Sequence, residues 1–227
     1  MKKVFWFVIT VFFICGFNAA LFGDMHMEPA ETNVSFENDK GTTLNGYLSV
    51  PEGEGPFPGV LLIHEWWGLN NDITTLADAL SQKGYIVLAA DAFRGSVAQT
   101  AEAARAQVQE TPQSQIAADL DTAYEYLSSH EKVDADRVAV AGFCFGGTQS
   151  MYMGTRNPDL AAVVIFYGSG PITDASELGT MKEAGPVLGI YGSQDGNIPV
   201  EDVRAFRKAL NSKNVSNTIK IYNGVGH

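Results

Sequence analysis

From Pro58 onward the sequence alternates between short, continuous apolar runs and longer stretches of helical character, and this alternation constrains the fold more than any other feature. The runs are GVLLIH (59–64), YIVLAA (85–90), RVAVAG (137–142), AAVVIFY (161–167) and PVLGIY (186–191). Each is rich in β-branched residues and shows no in–out alternation, as strands buried on both faces of a parallel sheet require. TIKIY (218–222) reads as a last, less buried strand. Between the runs, Asp72 is placed to cap ITTLADALSQKG, which Gly84 stops. SQIAADLDTAYEYLSSH puts Ile116, Leu120, Ala123, Tyr124 and Leu127 on one helical face. PVEDVRAFRKALNSK opens with Pro199 in a first-turn position and acidic residues beside it. Strand–helix alternation of this kind predicts an α/β fold, an open and mostly parallel sheet with helices on both faces. Ahead of it, a tail leads into two short strands that turn at residues 38–41. There is no internal repeat, low-complexity segment or second domain.

The first 23 residues differ from the rest. Lys2 and Lys3 precede a 14-residue apolar run, VFWFVITVFFICGF, and then the small residues Asn18, Ala19 and Ala20. That order is the secretory signal pattern, with cleavage expected after Ala20 or Gly23. A spanning helix needs about 20 apolar residues, which this run reaches only if extended to Phe22, so an uncleaved N-terminal membrane anchor is the alternative. Cys15 follows Ile14, a poor match to the small residue expected before a lipidated cysteine. The expectation is an exported protein, periplasmic or extracellular, with a flexible tail at 24–31 and one domain at 32–227. Without the signal, 13 basic residues face 26 acidic ones, a net charge of −13. This acidity gives nucleic acid or anionic membrane no electrostatic footprint and reads as solubility. Cys144 is then the single thiol, so it has no partner for an intramolecular disulfide.

Ligands of open α/β sheets bind beyond the carboxyl ends of the strands, so reactive residues belong just after the apolar runs. GFCFG (142–146) follows one such run and precedes the helical segment GTQSMYMGTRN. It is a G-x-nucleophile-x-G turn with Cys144 at its centre. The helix N-terminus behind the turn favours a thiolate. A base must follow in the chain, and of the four histidines only His227 lies after Cys144. Asp195 comes directly after the run 186–191; Asp174 and Glu177 lie farther from a strand end, and Glu201 and Asp202 read as first-turn helix residues. The triad expected is therefore Cys144, Asp195 and His227. The backbone N–H groups of Phe145 and Trp66 are the candidates for an oxyanion hole.

The loop HEWWGLN contains Glu65, a carboxylate directly after a buried strand and costly there without a partner. It reads either as a satisfied cap or ion pair, or as a carboxylate facing the thiol and tuning its protonation. Trp66 and Trp67 read equally as pocket wall, lid or core. The histidines lack metal-ligand spacing, and GFCFGG lacks the spacing and acidic partner of a dinucleotide site. Neither metal nor cofactor is expected.

Taken together, GVLLIHEWWGLN, LAADAFRG, VAVAGFCFGG, YGSQDGNIP and the terminal GVGH resemble the dienelactone hydrolase family of α/β-hydrolases, over nearly all of residues 32–227. The resemblance implies a Cys-Asp-His triad at Cys144, Asp195 and His227. It also implies that Glu65 pairs with the resting thiol and moves when substrate arrives. Founding members hold a substrate carboxylate with arginines, and Arg94 in DAFRG matches one of them, although it also reads as a plain loop arginine. The family continues past the histidine into a final helix; here that C-terminal helix is absent and a C-terminal truncation is expected. The implied activity is hydrolysis of a small ester or lactone by a monomer or dimer. The alternatives are a carboxylesterase or thioesterase without preference for anionic substrates, and a non-catalytic binding protein that keeps the fold.

Overall fold

The computed structural model describes residues 28–227; the signal segment and the first half of the tail, 24–27, lie outside the described residues. Eight strands form one sheet: β1 (Val34–Glu37), β2 (Thr43–Ser49), β3 (Phe57–Ile63), β4 (Ile86–Ala90), β5 (Val133–Phe143), β6 (Ala162–Phe166), β7 (Val187–Gly192) and β8 (Asn217–Tyr222). Their order is β1-β2-β4-β3-β5-β6-β7-β8. The pairs β1–β2 and β2–β4 are antiparallel and every other pair is parallel. This is the mostly parallel, open α/β sheet that the alternation predicts.

The helices are α1 (Asn71–Ser81), α2 (Ala101–Glu110), α3 (Gln113–Ser128), α4 (Phe145–Arg156) and α5 (Val200–Ser212). The cap of α1 is Asn70, whose side chain accepts the Ile73 N–H; Asp72, the expected cap, sits inside the first turn instead. There it still faces the positive end of the helix dipole. Pro199 is likewise one residue outside α5. No periodic apolar pattern in the sequence predicts α2. Its only buried residue is Ala104, so it carries almost no apolar stripe; the Thr100 side chain caps it by accepting the Ala103 N–H.

The apolar runs bury both faces because successive side chains point to opposite sides. Leu61, Ile63, Ile86, Leu88, Val138 and Val140 join one core with Ile116, Leu120 and Leu127 of α3 and Phe206 of α5. Val60, Leu62, Val87, Ala89 and Ala141 join the other with Ile73, Ala77 and Leu80 of α1. β5 begins four residues earlier than its apolar run, pairing Val133 and Asp134 with Phe57 and Pro58 before a register shift at Pro58/Gly59.

Register sets the functional edge. Ile63 lies beside Gly142, and Gly142 beside Ile165. Two residues past each of these lie Glu65, Cys144 and Tyr167, so three adjacent strands deliver them to one stretch of the sheet edge.

In the core, Tyr191 of β7 is 2% exposed, and its hydroxyl finds no hydrogen-bond partner among the described residues. A buried hydroxyl without a partner costs about 1–3 kcal/mol. Tyr191→Phe is therefore expected to raise stability by about 1 kcal/mol, read as a higher urea midpoint at unchanged slope.

Candidate active site

Cys144 occupies the turn between β5 and α4 with φ 52° and ψ −111°. Non-glycine residues seldom tolerate this region, and such strain concentrates where a side chain must be presented. The turn is held by its surroundings. The Cys144 N–H donates to the Phe166 carbonyl at 3.0 Å, and Thr148 N–H donates back to the Cys144 carbonyl at 3.0 Å. Two glycines make the geometry possible: a Cβ on Gly142 would lie 2.3 Å from the Gly146 carbonyl, and one on Gly146 would lie 2.2 Å from the Ile63 carbonyl.

Asp195 follows β7, and its side chain is fully buried. One carboxylate oxygen accepts the Asn197 and Ile198 N–H groups at 2.9 and 3.2 Å. The other meets His227 Nδ1 at 2.7 Å. With Nδ1–H donating to Asp195, Nε2 is left as the basic nitrogen. His227 also stands edge-on to Tyr167, ring centroids 4.8 Å apart. The loop carrying His227 packs tightly on β7, where a Cβ on Gly192 would lie 2.2 Å from the Val225 carbonyl. Asp174, the rival acid, instead caps the short 3-10 helix Ala175–Leu178 through the Ser176 N–H. Glu201 and Asp202 lie in the first turn of α5, as expected.

Glu65 is half-buried, and Tyr167 Oη donates to its Oε1 at 3.4 Å. Burial pushes the Glu65 carboxyl above its ordinary range, while His227 and the Tyr167 hydrogen bond pull it back. Tyr167, missed in the sequence, is the residue that touches both Glu65 and His227. Its own backbone has φ 40°, and its N–H is anchored to the Ile190 carbonyl at 2.8 Å. Read in sequence, it is one more aromatic at the end of an apolar run; only its strained backbone turns it toward the site.

The helix N-terminus does not decide the charge of the thiol. Burial pushes Cys144 up to about 11, Glu65 and Asp195 push in the same direction, and only the Phe145 N–H opposes them. The helix end contributes as expected but is outweighed by burial and two carboxylates. At neutral pH the resting group is the thiol.

Neither the Trp66 nor the Phe145 N–H donates to a main-chain carbonyl among the described residues. Trp66 packs against the larger core and meets Trp67 edge-on at 5.1 Å. The loop bearing them is tied to its neighbours: Ala98 N–H donates to the Trp67 carbonyl at 2.8 Å, and Gln107 Nε2 donates to the Trp66 carbonyl. Arg94 is engaged elsewhere. Its Nε and one terminal nitrogen form a fork on Asp119 of α3 at 2.8 and 2.9 Å, and Asp119 is nearly fully buried. His64 is buried inside the fold and His130 turns the chain after α3, its Nδ1 accepting the Lys132 N–H. The described residues hold no cluster of His, Cys, Asp or Glu suited to a metal. No described helix is long and apolar enough to cross a membrane.

Residues 44–227 match the model of the dienelactone hydrolase family. The chain belongs to the dienelactone hydrolase family. It is 30% identical over 202 residues to a protein of Escherichia coli K12 provisionally named a carboxymethylenebutenolidase, covering 83% of this chain and 73% of that one. It is 32% identical over 203 residues to Protein usf of Aquifex pyrophilus, covering 86% and 84%. A solved structure from Klebsiella pneumoniae, provisionally assigned as a dienelactone hydrolase, superposes with TM-score 0.74 at 28% identity, covering 86% and 87%. This member of the family is a carboxylic ester hydrolase of the α/β-hydrolase superfamily.

Because Glu65 holds the thiol up, Glu65→Gln should lower it. A neighbouring like charge is worth about one unit or more, so alkylation of Cys144 by iodoacetamide at pH 8 is expected to speed up about tenfold, with its pH profile moved to lower pH. An unchanged profile would show that Glu65 does not act on the thiol.

Proposed function

We propose that this hydrolase cleaves a small ester or lactone by attack of Cys144, through an acyl-thioester intermediate. The observation that carries the reading is the strained Cys144 turn on the same sheet edge as the 2.7 Å His227–Asp195 pair. His227 Nε2 takes the thiol proton as sulfur attacks the carbonyl carbon, and Asp195 holds the ring in the tautomer that leaves Nε2 free. The oxyanion collects the Phe145 and Trp66 N–H groups. The carbonyl re-forms, the C–O bond breaks, and the leaving alcohol takes its proton from His227. A water deprotonated by His227 then attacks the thioester, releasing the acid and returning the proton to sulfur.

Glu65 keeps the thiol neutral between turnovers, protecting it from oxidation and alkylation, which select thiolates. Substrate displaces the carboxylate from beside the thiol; the Tyr167 hydroxyl already donates to its Oε1 and is a partner it can keep. Trp67, outside both core clusters, serves in this reading as a wall of the substrate pocket. The localisation that goes with this reading is export, set by residues 1–23.

Cys144→Ala is expected to reduce kcat/KM for a small aryl ester by about 10⁴-fold or more, and near-wild-type turnover would overturn the mechanism.

The Arg94 fork favours a second reading of specificity. A guanidinium neutralised by Asp119 has little charge to offer a substrate carboxylate, so the enzyme is a general carboxylesterase toward anionic and neutral esters alike. Arg94→Ala should then lower kcat/KM for a carboxylate-bearing ester and a neutral ester of equal size by the same factor. It should also reduce stability, because Asp119 loses its main partner. Selective loss of the anionic ester would restore the carboxylate-binding role.

A further inference from the structure

His64 is the one fully buried histidine among the described residues, at 0% exposure, and the mechanism above gives it no task. It directly follows β3, one residue before Glu65. Its ring makes two hydrogen bonds of opposite sense. Nε2 lies 3.1 Å from the Ala92 N–H, which can only donate, so Nε2 must be the unprotonated acceptor. In a neutral imidazole the proton then sits on Nδ1, which lies 2.6 Å from the Glu65 carbonyl and donates to it. An imidazolium would set an N–H against the Ala92 N–H, so this site excludes it. Burial also pushes the ring toward the neutral form.

The Glu65 carbonyl shares a peptide unit with the Trp66 N–H. A trans peptide is planar and its C=O and N–H point in opposite directions. Anchoring the carbonyl on His64, with Gly68 N–H adding a second bond at 3.3 Å, therefore fixes where the Trp66 N–H points. The same ring also touches the other half of the candidate oxyanion hole. It stacks on Phe145 with centroids 5.9 Å apart and planes 16° from parallel. The His64 carbonyl would lie 2.6 Å from a Cβ on Gly146, so the start of α4 rests directly on this residue.

We propose that His64 is a positioning residue: locked by Ala92 as the Nδ1–H tautomer, it sets the Glu65–Trp66 peptide so that the Trp66 N–H meets the oxyanion together with the Phe145 N–H. The proposal rests on the oxyanion reading given above. It explains why a titratable ring is buried here with both nitrogens committed to main-chain groups.

The test compares two amides on the full chain. Asparagine can place its N–H near the position of Nδ1, whereas glutamine can place its carbonyl near Nε2. His64→Asn keeps the donor to Glu65 and loses the acceptor for Ala92; His64→Gln does the reverse. Both lose one buried hydrogen bond and should be similarly destabilised. If His64 positions the donor, His64→Gln loses about ten- to a hundredfold in kcat with KM nearly unchanged, because the oxyanion contact exists only in the transition state. His64→Asn should stay within about threefold of wild type by the same reasoning. Equal kcat in both variants would overturn the proposal. Cys144→Ala, run alongside, separates this failure from failure of the nucleophile reading, since only the latter leaves that variant active. Should neither amide fold, the nitrogen shifts of His64 in ¹⁵N-labelled wild-type protein decide: a protonated Nδ1 with bare Nε2 supports the proposal, and the opposite tautomer overturns it.

Discussion

The contact on which the site depends is the close approach of the α4 N-terminus to the end of β3. A hydrogen is all that Gly146 can carry, since a Cβ there would sit 2.2 Å from the Ile63 carbonyl. That approach forces Cys144 into left-handed backbone space. It also places the first N–H of α4 beside the loop that follows β3, so Cys144, the helix end and the Glu65–Trp66 peptide share one small region. Neighbouring strands in register add Tyr167, and the loops after β7 and β8 add Asp195 and His227. Left-handed backbone at non-glycine residues recurs along this edge, at Arg94, Cys144 and Tyr167. Each directly follows a strand or its turn, where the chain must reverse within a few residues.

Much of this was legible in the sequence because the signals are local. Doubly buried strands announce themselves by composition, and GFCFG lies at the end of one. Asp195 and His227 follow later strands in the order that such a turn requires. What was not legible depends on distant partners or on backbone angles. Tyr167 closes an apolar run and looks like core; its φ of 40° is invisible in the residue string. The helix Ala101–Glu110 buries a single alanine, so no periodic stripe marks it, yet its Gln107 braces the Trp66 carbonyl. Arg94 carries the charge expected of a carboxylate-binding group, and only the position of Asp119, 25 residues on, shows where that charge is spent. The balance at the thiol is illegible for a related reason: the helix end is local, whereas the burial and the carboxylates that outweigh it come from other strands.

The electrostatics of the site follow one rule, that negative charge should not increase. Losing the thiol proton to solvent would place a thiolate between Glu65 and Asp195, and both carboxylates resist it. Passing the same proton to His227 keeps the total charge constant. Asp195 accepts from Nδ1 at 2.7 Å, and His227 draws Glu65 toward its charged form. The site thus penalises a free thiolate, whereas a proton moved within it adds no net charge. That distinction suits the proposed nucleophile, which would stay inert while the pocket is empty and transfer its proton only along the path of attack.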